Sequence, residues 1–137
     1  MADIIKLAEA VAAEISAPGE AEVMYAPELD LKGIKELRII VTPAGLDMKP
    51  VARGCCEDAL KIHIGVLKKC TEDDVPDLVN TVVTIGRSFL DKRLEGATCM
   101  KVAYAPLYYP DHLRERRQFT GVIELTFLAV SKNEPLR

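Results

Sequence analysis

The chain has 137 residues, 49% of them hydrophobic and 28% charged, enough for one globular core and incompatible with a disordered chain. Eighteen Lys and Arg against 21 Asp and Glu leave a formal charge of -3, which excludes a bulk basic footprint for nucleic acid, so basic residues must act locally. No apolar run approaches the roughly 20 residues that cross a bilayer, and the opening MADIIKLAEAVAAEIS carries acids without a basic leader, so neither a membrane span nor a signal peptide is expected.

In chain order the first element is a helix. Ile4, Ile5, Leu7, Ala8, Val11, Ala12 and Ile15 recur at helical spacing, Asp3 can cap the start, and Ser16-Ala17-Pro18-Gly19 cannot continue it. A short extended segment, AEVMYAPEL, closes at Pro27, and Leu37 to Pro43 reads as a strand from its β-branched density. The stretch from Ala44 to Asp58, with two glycines and a proline, is long for a hairpin connection and predicts an extended arm or a mobile loop. Beyond it Leu60, Ile62, Ile64 and Val66 alternate with Lys61, His63 and Gly65, the pattern of a half-buried antiparallel strand.

A second helix is predicted over Thr71 to Leu94. Its apolar stripe is Val75, Leu78, Val79, Val82, Val83, Gly86, Phe89 and Leu90; Asp73 or Asp74 caps it, Pro76 sits in the first turn, Lys92 and Arg93 oppose the dipole, and Gly96 stops it. Two strands finish the chain, CMKVAYAP and FTGVIELTFLAV, joined by a connector at Pro106 to Gln118, and the tail SKNEPLR is expected to fray. The expectation is a single α+β domain spanning 1–137, with a mostly antiparallel sheet of about five strands and two main helices in the order α-β-β-β-α-β-β.

The residues offer little chemistry. Ser16, Ser88 and Ser131, the three serines, lie at a helix end, inside a helix and in the tail, none in a nucleophile elbow. Cys55, Cys56, Cys70 and Cys99 match no zinc spacing and read as reduced thiols of an intracellular protein; Cys55 or Cys56 with His63 or His112 is the one thiol-imidazole pairing to weigh. Gly45, Gly54 and Gly65 fit neither phosphate-binding pattern. Glu72, Asp73 and Asp74 read as capping carboxylates, with a divalent ion shared between subunits as the alternative. No catalytic, cofactor-binding or metal residue is assigned.

The tract YYPDHLRERRQFTG (108–121) is the most unusual text. A short helical turn from Asp111 would gather Leu113, Arg116 and Arg117. Tyr and Arg are typical interface anchors, which favours a subunit contact; a solvated connector with tyrosines tucked beneath it, or a nucleic-acid contact interrupted by Asp111 and Glu115, are the alternatives. The candidate interface residues are Arg53 in the arm, Glu72, Asp73, Asp74 and Asp77 at the second helix, and Tyr108, Tyr109, Arg114, Arg116 and Arg117 in the connector. A head-to-tail contact between identical chains needs one patch to meet a different patch on the next copy, and the basic connector and acidic helix start supply such a pair.

Three stretches, Ile34 to Pro43, Asp58 to Val66, and Tyr108 to Leu113 running into Arg117 to Ile123, together with the element order, make the chain resemble the phage tail terminator proteins and related neck and tail-completion proteins. The vicinal Cys55-Cys56 pair stands outside that pattern. The resemblance implies a non-enzymatic virion protein: a ring, hexameric in the family, that ends the tail tube, contacts the tail tube protein and the head-tail connector, lets DNA through without sequence-specific binding, and is assembled in the host cytoplasm. A different connector or baseplate component, a small cytosolic ligand-binding domain using the open sheet face, and a thiol enzyme remain as competing readings.

Overall fold

The computed structural model describes residues 3–16, 19–25 and 36–132. The expected helix stop at 17–18, the strand end at Pro27, part of the 34–43 stretch and the tail from Asn133 lie outside them. Ser131 and Lys132, which begin the tail expected to fray, are instead paired with Cys56 and Cys55 at the end of the last strand. The order is α1 (Ile4–Glu14), β1 (Ala21–Val23), β2 (Arg38–Ala52), β3 (Cys55–Lys69), a 3-10 turn (Glu72–Asp74), α2 (Val75–Phe89), β4 (Arg93–Leu94), β5 (Ala97–Tyr104), α3 (Pro110–Arg116) and β6 (Gln118–Lys132). The fold is α+β. Among the described residues its sheet has six strands rather than about five, ordered β1-β2-β3-β6-β5-β4, and every pairing there is antiparallel except β1 with β2.

Local chemistry explains the boundaries. The Asp3 carboxylate accepts from the N–H groups of Ile5 (2.9 Å) and Lys6 (3.3 Å), closing the start of α1 as expected. Asp74 does not cap α2 with its side chain; it reaches back to the Thr71 N–H at 3.2 Å and holds the preceding 3-10 turn. α2 ends at Phe89, not Leu94, because the chain turns to pair with β5: Asp91 N–H donates to Cys99 O and Cys99 N–H to Lys92 O, both 2.9 Å. Lys92 therefore lies beyond the helix, where it pairs with Glu14 at 3.0 Å and ties the end of α1 to the turn that follows α2.

The core lies on one face of the sheet. Leu7, Ala8 and Val11 from α1 and Leu78, Val82, Ile85 and Phe89 from α2 cover Ile39, Val41, Leu60, Ile62, Ile64, Val66, Ile123, Leu125 and Phe127. Each of the Val, Leu, Ile and Phe side chains among them stabilises the fold by about 1.5–3 kcal/mol on leaving water. Register enforces the layer: Val41, Ile64 and Ile123 are successive neighbours across three strands, as are Pro43, Ile62 and Leu125. Ile85 belongs to the buried stripe of α2, whereas Leu90 is exposed. On the opposite face Ile40 and Leu67 form a small separate cluster with Met24.

Candidate functional site

The segment from Ala44 to Asp58 is a β-hairpin. β2 and β3 remain paired from Arg38 with Leu67 out to Ala52 with Cys55, and the two-residue turn Arg53-Gly54 places Gly54 at φ 76°. β6 follows β3 to the same tip, with Lys132 opposite Cys55. The arm is thus three-stranded. Residues 44 and 46–52 of β2 are exposed whichever face they point to, so among the described residues nothing covers either face of that strand there. Leu46, Met48, Val51 and Val130 present apolar side chains with 43%, 49%, 49% and 69% of their surface open. Arg53 is exposed at the tip, and Lys49 reaches Glu57 across the pair at 3.5 Å.

The connector is built by stitching to β6. The N–H of Tyr109 donates to Thr120 O at 3.0 Å; His112 Nδ1 lies 3.0 Å from Thr120 Oγ1, which also accepts from the buried Gln118 amide at 2.8 Å. Tyr108 stacks on Phe119 (centroids 5.8 Å apart) and Tyr109 on His112 (4.6 Å), so both rings are half-buried inside the chain, the arrangement of the tucked-tyrosine alternative. The guanidinium-bearing residues behave differently. Arg114, Arg116 and Arg117 are exposed on or just after α3, and Arg114 approaches Asp111 only at 3.9 Å.

Glu72, Asp73, Asp74 and Asp77 are also exposed. They sit at the same end of the sheet as the arginines, because Cys70 N–H donates to Arg117 O at 2.9 Å and Lys69 Nζ to Arg116 O at 3.2 Å. The basic and acidic patches, read in sequence as surfaces that meet between copies, are neighbours within one chain. Arg53 lies at the opposite end: β3 separates the arm tip from this charged end by 15 residues, or roughly 45 Å at the usual strand rise.

The open sheet face carries a shallow groove of about 210 Å³ lined by Ile40, Thr42, His63, Gly65, Ala105, Tyr109 and Val122. Beside it His63 Nε2 and Glu124 Oε2 are 2.9 Å apart. That hydrogen bond holds the Glu124 carboxyl below the usual range against the opposing effect of partial burial, with the charges of His63, Lys61 and Lys101 adding to it. Nothing in the sequence beyond strand parity flagged this pair. Cys55 and Cys56 are remote from it: Cys56 and His63 are seven residues apart on one extended strand, roughly 23 Å, so they form no thiol-imidazole pair. Burial pushes the Cys70 and Cys99 thiols up, away from the thiolate. Among the described residues no cluster of three or more His, Cys, Asp or Glu could hold a metal ion, and no helix is long and apolar enough to cross a membrane.

No protein-family model matches the chain, and no curated protein matches it.

Proposed function

We propose that this chain is a structural phage or prophage protein that assembles with copies of itself into a ring at the head-proximal end of a tail tube. The observation that carries the reading is the three-stranded arm, whose exposed Leu46, Met48, Val51 and Val130 lie at one end of the sheet while the other end is densely charged. A monomer gains nothing from leaving such an arm bare, and open apolar strands are a hazard unless another chain covers them. Two chemically distinct ends also suit a body placed between two different partners, a tube below and a head-tail connector above. In this reading the arm makes the contacts between copies or with the tube, and Arg114, Arg116, Arg117, Glu72, Asp73, Asp74 and Asp77 form the surface offered to a neighbouring virion protein. DNA passes the ring without sequence readout.

A small-ligand domain is the weaker reading, because the groove's 210 Å³ is below the roughly 300–1,000 Å³ usual for such sites. Negative-stain microscopy with light scattering on the purified protein tests the proposal. Closed rings with a central hole, six-fold in the simplest case, are expected; uniform monomers at high concentration would overturn it.

A further inference from the structure

The direction of each backbone group along the arm follows from the pairing. Met24 N–H donates to Val41 O at 3.0 Å, so the polar groups of Val41 face β1, away from β3. Directions alternate along a strand. Pro43 therefore also faces outward; after the bulge at Ala44, Gly45, Asp47 and Lys49 face β3, and Leu46, Met48 and Pro50 face outward. β1 covers only Ile39 to Val41, so among the described residues the N–H and C=O groups of Leu46 and Met48 lie on an open edge. Pro43 and Pro50, which have no N–H, bracket that edge and limit its length.

The other side of the arm is the complement. Val122 O accepts from Ala105 and Val122 N–H donates to Pro106 O, so the even-numbered residues of β6 face β5. The register of β6 against β3 is unbroken, and β5 stops at Thr98 opposite Leu128. Val130 and Lys132 therefore present open backbone groups on that side, again among the described residues. One arm thus carries, on each edge, two outward-facing residues with both an N–H and a C=O free for pairing among the described residues: Leu46 and Met48 on β2, Val130 and Lys132 on β6. Both strands run antiparallel to β3, so they point the same way.

We infer that copies of this chain join through the arm by backbone pairing of the Leu46–Met48 edge of one with the Val130–Lys132 edge of the next, in parallel. The contact is head-to-tail, so every copy uses both edges, and a ring leaves none open. The inference rests on the self-assembly reading and adds to it which edges meet.

Proline distinguishes the inference from that reading. At Met48 the N–H faces outward, so Met48→Pro costs no bond to β3, whereas at Asp47 the N–H faces β3 and Asp47→Pro breaks the ladder. Circular dichroism and sedimentation should show Met48→Pro folded like the wild type and associating about tenfold more weakly or not at all, as the loss of roughly 1.4 kcal/mol per contact implies. Asp47→Pro should lose thermal stability. Should Met48→Pro fail to fold, a photo-cross-linker at Val130, in a mixture of isotope-labelled and unlabelled copies, gives the answer: cross-links between copies are expected at residues 44–50. Assembly of folded Met48→Pro equal to wild type, or cross-links between copies only elsewhere, overturns the edge pairing and leaves the ring standing. A wild type that never self-associates overturns both.

Discussion

Single side chains set how close the sheet and helices come. A Cβ at Gly86 would lie 2.5 Å from Tyr104 Oη and 2.9 Å from two of its ring carbons. The ring cannot retreat freely, since its hydroxyl donates to Val83 O at 2.9 Å. Alanine gains about 1 kcal/mol of helix propensity over glycine, but overpacking costs about 1–3 kcal/mol and the tyrosine bond about 1 kcal/mol. Gly86→Ala is therefore expected to destabilise by about 1–3 kcal/mol in chemical denaturation, and adding Tyr104→Phe should recover part of the loss. An unchanged midpoint for the single variant would contradict the packing argument. Glu124 makes a pH-dependent contribution. Its folded carboxyl, held low first by the His63 bond, binds a proton less readily than in the unfolded chain. Its stabilisation is whole above the ordinary glutamate range and disappears as pH falls through the lower folded value. Glu124→Gln should cost about 0.5–1 kcal/mol at neutral pH, the scale of a partly exposed pair. The gap to wild type should shrink as pH falls below the ordinary glutamate value; a gap that widens in acid would refute the assignment.

At the scale of elements, α3 and its exit separate folding from assembly. Arg117 ends α3 in the left-handed region at φ 50°, with its N–H bonded to His112 O and Leu113 O. A left-handed arginine is strained where glycine is not, so Arg117→Gly should keep or raise the melting temperature, by up to about 1 kcal/mol in stability, while removing one exposed guanidinium from the proposed contact surface. Folding intact and end-surface binding weakened is the expected pair of results; a fall in stability would refute the strain account. The α1 stripe, the alternation of β3 and β6, and the existence of α2 were legible because burial on one face leaves a 3.6 or 2 period in the text. The arm was legible only as one of two readings, an extended arm or a mobile loop, and its strand pairing was not, because Pro43, Gly45 and Pro50 argue against a strand. Register explains the exception: both prolines point their missing N–H to the edge, and a bulge sits beside each. The end of α2 was missed for a tertiary reason, since residues 91–92 are taken by β5 rather than by the helix. The tyrosines of the connector were legible as unusual, but their partners, Phe119 and His112, depend on how α3 folds back on β6.

The whole molecule is polar along its long strands, and the two ends should respond to solvent differently. At the α3 end Arg114, Arg116 and Arg117 lie beside Glu72, Asp73 and Asp74, all exposed, so a contact there is made of screened charges. The arm edges are uncharged backbone flanked by Leu46, Met48 and Val130. Raising salt from about 0.1 to 1 M shortens the screening length from about 10 to 3 Å, which weakens the first kind of contact and strengthens or spares the second. Rings joined through the arm should therefore persist in 1 M salt, whereas stacking of rings on one another, or capture of a partner at the charged end, should fall away. Arg116→Glu should imitate salt: it reverses one exposed charge, leaves the Arg116 carbonyl free to keep its bond to Lys69, and should lower end-on association without changing the sedimentation of the ring. If the rings themselves disperse to monomers in salt or with Arg116→Glu, the charged end rather than the arm joins neighbouring copies.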